Sequence, residues 1–123
     1  MNLRMELFVE NMERTIEFYS DILNFEVLGE VNHTYTSIRN GSVQIGLGKM
    51  ENLPDNHPLK VNDRNQQKGL GIEIVIGVDD VHQTYQKVLE TGYPIKSEMA
   101  ERPWGLEDFR LIDPDGYYIR ITS

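Results

Sequence analysis

Two stretches of this chain, VENMERTIEFYSDILNFEV and VDDVHQTYQKVLETGYPI, superimpose at an offset of 69 residues, which sets Val9 on Val78 and brings the helix ends at Asn24 and Gly92 within one residue of each other. A chain whose halves repeat folds as two copies of one supersecondary unit, so the unit needs reading only once. It opens on a strand, because LRMELFVE puts Met5, Leu7 and Val9 on one face and Arg4, Glu6 and Phe8 on the other. Asn11 then caps a helix carrying Met12, Ile16, Tyr19 and Leu23 at the 3.6-residue period. Three strand-like pieces follow near FEVLGEV, TYTSIRN and SVQIGLG, with turn chemistry at Asn32-His33 and Asn40-Gly41. The unit reads βαβββ.

The second copy repeats this order. IEIVIGV alternates Ile74, Ile76 and Val78 against Glu73, Val75 and Gly77. Asp79 or Asp80 caps a helix bearing Val81, Tyr85, Val88 and Leu89, which Gly92 ends in the left-handed conformation. Strands near IKSEMAE, DFRLIDP and YYIRIT complete it. Between the copies, KMENLPDNHPLKVNDRNQQKG has two prolines and no period, the mark of a connection. The expected class is α+β, as a single domain over 1–123 with module one at 1–49, the connecting loop at 50–69 and module two at 70–123. A chain of 123 residues can bury one core but not two independent ones.

Composition removes several functions. The chain has no cysteine, which excludes thiolate metal sites, disulfides and cysteine nucleophiles, and fits a reducing compartment. No apolar run approaches the roughly 20 residues of a membrane span, and the start shows no signal-peptide core, so a cytoplasmic protein with no membrane partner is expected. A net charge of −8 argues against nucleic acid, where affinity comes from lysine and arginine displacing counterions.

The opening VENMERTIEFYSDILNFEV, the second-module IEIVIGVDDVHQTYQKVLETGYPI and the ending RPWGLEDFRLIDPDGYYIRI, in that order and at that separation, resemble the vicinal oxygen chelate superfamily. That group contains glyoxalase I, extradiol dioxygenases, and fosfomycin- and bleomycin-resistance proteins, and the resemblance covers nearly the whole chain. It implies two βαβββ modules whose mixed sheets curl into a cup, with helices outside and ligands inside. If the apolar strand faces turn to the helices, Arg4, Glu6, Phe8, Glu73, Val75, Tyr118, Arg120 and Thr122 face the cup.

Metal-dependent proteins of that group take ligands from the first and last strands of each module, usually histidines and glutamates. Carried over by resemblance, the first-strand positions are Arg4 and Glu73 and the final-strand position is Arg120, while the closing strand of module one offers Gln44 by face or Ile45 by distance from its turn. One carboxylate is left where three or four ligands are wanted. His33 in a turn, His57 beside a proline and His82 on the first turn of the second helix lie off the cup-facing strands. Neither a metal nor another cofactor is expected.

If Arg4, Glu73 and Arg120 are neighbours, as the resemblance implies, they form an internal ion-pair network, or an arginine stays partly free to grip a carboxylate, phosphate or carbonyl oxygen of a ligand. Phe8 and Tyr118 by alternation, and Tyr35 and Trp104 by position near the rim, add aromatic surface. The preferred reading is metal-independent binding of a small organic molecule, as in antibiotic or metabolite sequestration by bleomycin-resistance proteins, with Arg4, Glu6, Phe8, Tyr35, Glu73, Trp104, Tyr118 and Arg120 as ligand-binding residues. The alternative is a metal-free isomerase or lyase for a small oxygenated substrate, with Glu73 or Glu6 as base and Arg4 or Arg120 as electrophilic stabiliser. Edge strands on each half-cup lead to the expectation of a homodimer.

Overall fold

Alternation becomes strand in both copies of the repeat. The computed structural model describes residues 1–123, which divide into two compact units, residues 1–66 and 67–123. In the first unit, β1 (Met5–Val9) is followed by α1 (Met12–Glu17), a π-helical turn (Phe18–Ile22), β2 (Glu26–Leu28), β3 (Tyr35–Asn40) and β4 (Val43–Lys49). The sheet order is β1-β4-β3-β2, with β1 parallel to β4 and the other pairs antiparallel. The second unit has β5 (Glu73–Gly77), α2 (Val81–Thr91), β6 (Ser97–Glu101), β7 (Glu107–Ile112) and β8 (Tyr118–Thr122) in the order β5-β8-β7-β6, again with only the first and last strands parallel. The fold is α+β, built of two four-stranded mixed sheets with one helical segment each, and the βαβββ repeat is present.

Each sheet buries its apolar face. Leu7, Val9, Ile38, Ile45 and Leu47 form that face in the first unit, where Met12, Phe18 and Tyr19 are also buried. Ile74, Ile76, Phe109, Leu111, Ile119 and Ile121 do so in the second, with Val81 and Val88 of α2. The Tyr85 ring meets Phe109 at 4.9 Å. Leu89, expected on the inward side of α2, is 42% exposed. Gly92 ends the helix at φ +77, and the last turn presents Leu89 outward while Val88 takes the core position.

Helix one departs from the expected single α-helix. Asn11 caps it through a 3.0 Å bond from the Arg14 amide, but the backbone widens into the π turn at Phe18. Widening turns two adjacent aromatics inward: Phe18 and Tyr19 are both buried, with rings 4.9 Å apart and edge to face, and Tyr19 meets Phe25 at 5.5 Å. Thr15 and Phe18 thus occupy core positions and Ile16 is only half-buried.

The connection is ordered by hydrogen bonds. Lys60 Nζ donates to the carbonyls of Met50 and Leu53, and Met50 is buried. Within the second unit, residues 67–69 dock on the Asp113-Pro114-Asp115-Gly116 turn. The Lys68 amide donates to the Asp115 carbonyl at 3.0 Å, Gln67 Nε2 donates to the Gly116 carbonyl at 2.9 Å, and the buried Lys68 ammonium lies 3.9 Å from the Asp115 carboxylate. The turn itself is held by Asp113 Oδ1, which accepts from the amides of Asp115 and Tyr117. No helix is long and apolar enough to cross a membrane.

Candidate functional site

The polar face of the second sheet carries the denser group of charges. Register places Val75, Arg120 and Arg110 side by side across β5, β8 and β7, with Glu73 and Tyr118 one step along and Thr122 beside Asp108. Arg120 reaches Glu73 at 3.2 Å. The neighbouring Tyr118 hydroxyl, and after it the charge of Asp108, raises the Arg110 pKa above the ordinary arginine value against the cost of burial. Asp108, fully buried, receives the Arg102 Nε–H at 2.7 Å and has Arg110 Nε at 3.6 Å from the same oxygen. Its second oxygen, Arg110 Nε and Arg120 Nε are buried without a hydrogen-bond partner.

Trp104 is set over this face by a turn. Arg102-Pro103-Trp104-Gly105 closes with the Gly105 amide on the Arg102 carbonyl at 2.9 Å, and the Arg102 amide returns to the Leu106 carbonyl at 2.8 Å. Proline at the second place and glycine at the fourth suit such a turn. The turn is anchored because Arg102 is tied to Asp108 and Ser97, so Trp104 stays 55% exposed yet stands with its ring 5.7 Å from the Arg120 guanidinium carbon. Beside it lies a depression of about 340 Å³ lined by Val75, Trp104, Leu106, Arg120 and Thr122.

In the first unit, Arg4, Glu6 and Tyr35 come together. Arg4 donates to Glu6 Oε1 at 2.6 Å, and the Tyr35 hydroxyl donates to both Glu6 oxygens at 3.1 and 2.9 Å. The Glu6 carboxylate raises the pKa of Arg4, first through that hydrogen bond and then through its charge. Glu6 and Tyr35 stand on β1 and β3, either side of β4, and meet above Gly46, where a Cβ would fall on both. Phe8 lies over Gly48 in the same way.

Register also revises one expected position. With the 69-residue offset, Met5 corresponds to Ile74; these pair with Ile45 and Ile119, so the counterpart of Arg120 in β4 is Gly46, not Gln44 or Ile45. The positions that the resemblance assigns to metal ligands therefore hold an arginine and a glycine in the first unit and a glutamate and an arginine in the second. They do not fit a divalent cation, and no group of three or more histidine, aspartate or glutamate side chains is placed to hold one. His33 pairs with Glu13, His82 with Glu107, and His57 accepts from the Leu59 amide. Sequence reading passed over Arg102, Asp108 and Arg110. The alternation of Asp108, Arg110 and Ile112 against Phe109 and Leu111 was the available signal for the last two.

The model of the Glyoxalase/Bleomycin resistance protein/Dioxygenase superfamily matches residues 3–121. Among solved structures, a protein of that superfamily from Sphaerobacter thermophilus DSM 20745 is 19% identical, with a TM-score of 0.73 over 99% of this chain and 95% of its own. Lactoylglutathione lyase from Agrobacterium tumefaciens is 15% identical, with a TM-score of 0.74 over 99% and 92%. TioX from Micromonospora sp. ML1 is 15% identical, with a TM-score of 0.73 over 99% and 94%. These likenesses are of fold. No functionally curated protein is similar enough in sequence to count as a relative.

Proposed function

As this chain belongs to the glyoxalase/bleomycin resistance protein/dioxygenase superfamily, we propose that it is a small-molecule binding protein that works without a bound metal ion, in the manner of drug or metabolite sequestration. The observation that carries this reading is the exposed Trp104 ring, held by an anchored turn beside Arg120 and a depression large enough for a small organic molecule. Metal independence is supported by the guanidinium groups at two ligand positions and the missing side chain at a third. The absence of cysteine supports a cytoplasmic setting. Native mass spectrometry of the purified protein tests the reading through a co-purifying organic molecule, and elemental analysis tests it through the metal. About one Zn, Ni, Mn or Fe per chain, lost on Glu73→Gln, would overturn metal independence.

A catalytic reading is favoured by one observation, the Tyr35 hydroxyl on the Glu6 carboxylate, an acid and a base in contact on an open face. It differs in outcome. A sequestered molecule is recovered unchanged after incubation with the protein, whereas a substrate is converted by the wild type and not by Glu6→Gln.

The same reading includes a homodimer. Strands β1 and β5 are each at the edge of their sheet, and Leu3, Leu70 and Ile72, next to those edges, are strongly exposed. Light scattering is expected to give twice the chain mass of 14.3 kDa at micromolar concentration, and a mass that stays at one chain removes the dimer.

A further inference from the structure

We propose that the depression beside Trp104 selects a flat aromatic molecule bearing one carboxylate, with the ring on the indole and the anion on Arg120; this rests on the binding reading above and names its ligand class. Charge on the face is the first argument. Arg102, Arg110 and Arg120 pair with two carboxylates, Asp108 and Glu73, and Asp108 is shared by Arg102 and Arg110. Arg120 is left with Glu73, which is also in the field of Arg110. A guanidinium whose own carboxylate is shared carries an unbalanced part of its charge toward the cavity. Because the face is partly desolvated, a second anion gains more there than on the open surface.

The second argument is the wall chemistry. Apart from Arg120 and the small hydroxyl of Thr122, the lining is apolar: Val75, Leu106 and Trp104. No carboxylate lines it, and Glu73 is already engaged by Arg120, so a cationic ligand would find no anionic partner in the wall. A planar acid satisfies both features, since the guanidinium carbon lies 5.7 Å from the indole centroid and the two groups offer adjacent sites for a carboxylate and its ring.

Trp104 is the only tryptophan, so its indole N–H resonance in a ¹⁵N-labelled sample reports occupancy of this site alone. Titration with 2-naphthoate, 2-naphthamide and 2-naphthylmethylammonium is expected to shift that resonance saturably with naphthoate at roughly tenfold or more lower Kd than with the amide, and least with the ammonium. Arg120→Gln is expected to bring naphthoate to the level of the amide, and Arg120→Lys, which keeps charge but loses the fork, to fall between. Equal affinity for naphthoate and naphthamide, or preference for the ammonium, overturns the carboxylate while leaving the binding reading intact; silence toward all three probes overturns the ligand class. The broader reading fails separately, if native mass spectrometry finds no co-purifying molecule.

Discussion

At Gly46 a missing side chain is what lets two strands meet across a third: Glu6 and Tyr35 close their hydrogen bonds in the space a Cβ would fill. Gly46→Ala must therefore displace the carboxylate, the phenol or the strand, and a loss of about 1–3 kcal/mol is expected in denaturant unfolding, with a smaller loss for the same change at Gly48, where only the edge of the Phe8 ring yields. Glu13 behaves differently. Its own backbone amide at the start of α1, and then His33, lower its pKa below the ordinary 4.5. A depressed carboxyl adds stability above that ordinary value and loses it as pH falls through the depressed one. The melting-temperature gap between wild type and Glu13→Gln should be full near neutrality and close in acid below about pH 4.5. The sequence showed that Glu6, Glu73 and Arg120 lie on polar strand faces, because alternation reports a face. It did not show partners, since which charge meets which depends on register between strands far apart in the chain. Asp108 shows the limit well: its place in the alternation gives no sign of a partner, and it is Arg102, arriving from the turn after β6, together with Arg110 that makes a fully buried carboxylate tolerable.

Among the elements, helix starts were the most legible part of the sequence. Asn11 and Asp80 each accept from the amide three residues on, at 3.0 and 2.9 Å. Replacing either by alanine is expected to cost about 1 kcal/mol in chemical denaturation. The change should be felt more sharply at Asn11, because α1 has only six residues before its π turn and little helix of its own to rely on. That π turn was not legible. Apolar period over 12–23 is satisfied nearly as well by a regular helix, and the choice is made by tertiary packing of Phe18 and Tyr19 against the core. Strand identity survived with ends shifted by up to three residues, mostly trimmed, although β4 gains Lys49 and β7 gains Glu107, and the β6–β7 pair carries an irregularity between Ser97 and Ala100 that no local pattern announces.

For the whole molecule, the two parallel pairings set an order of events. In each unit the central strands join through short turns, as at Asn40-Gly41 between β3 and β4 and at Asp113–Gly116 between β7 and β8. The first strand has no such neighbour: Met5 meets Ile45, and Glu73 meets Tyr118, only after all the intervening chain is placed. Closing so long a loop costs entropy before its contacts return anything, so folding should build the hairpins first and add β1 and β5 late. Stopped-flow measurement is expected to show that Leu7→Ala mainly speeds unfolding and barely slows folding, whereas Leu47→Ala, in the strand shared by β1 and β3, slows folding as well. A newly made chain would therefore wait with its opening strand loose, and during that interval the strand is free to complete the sheet of another copy instead of its own.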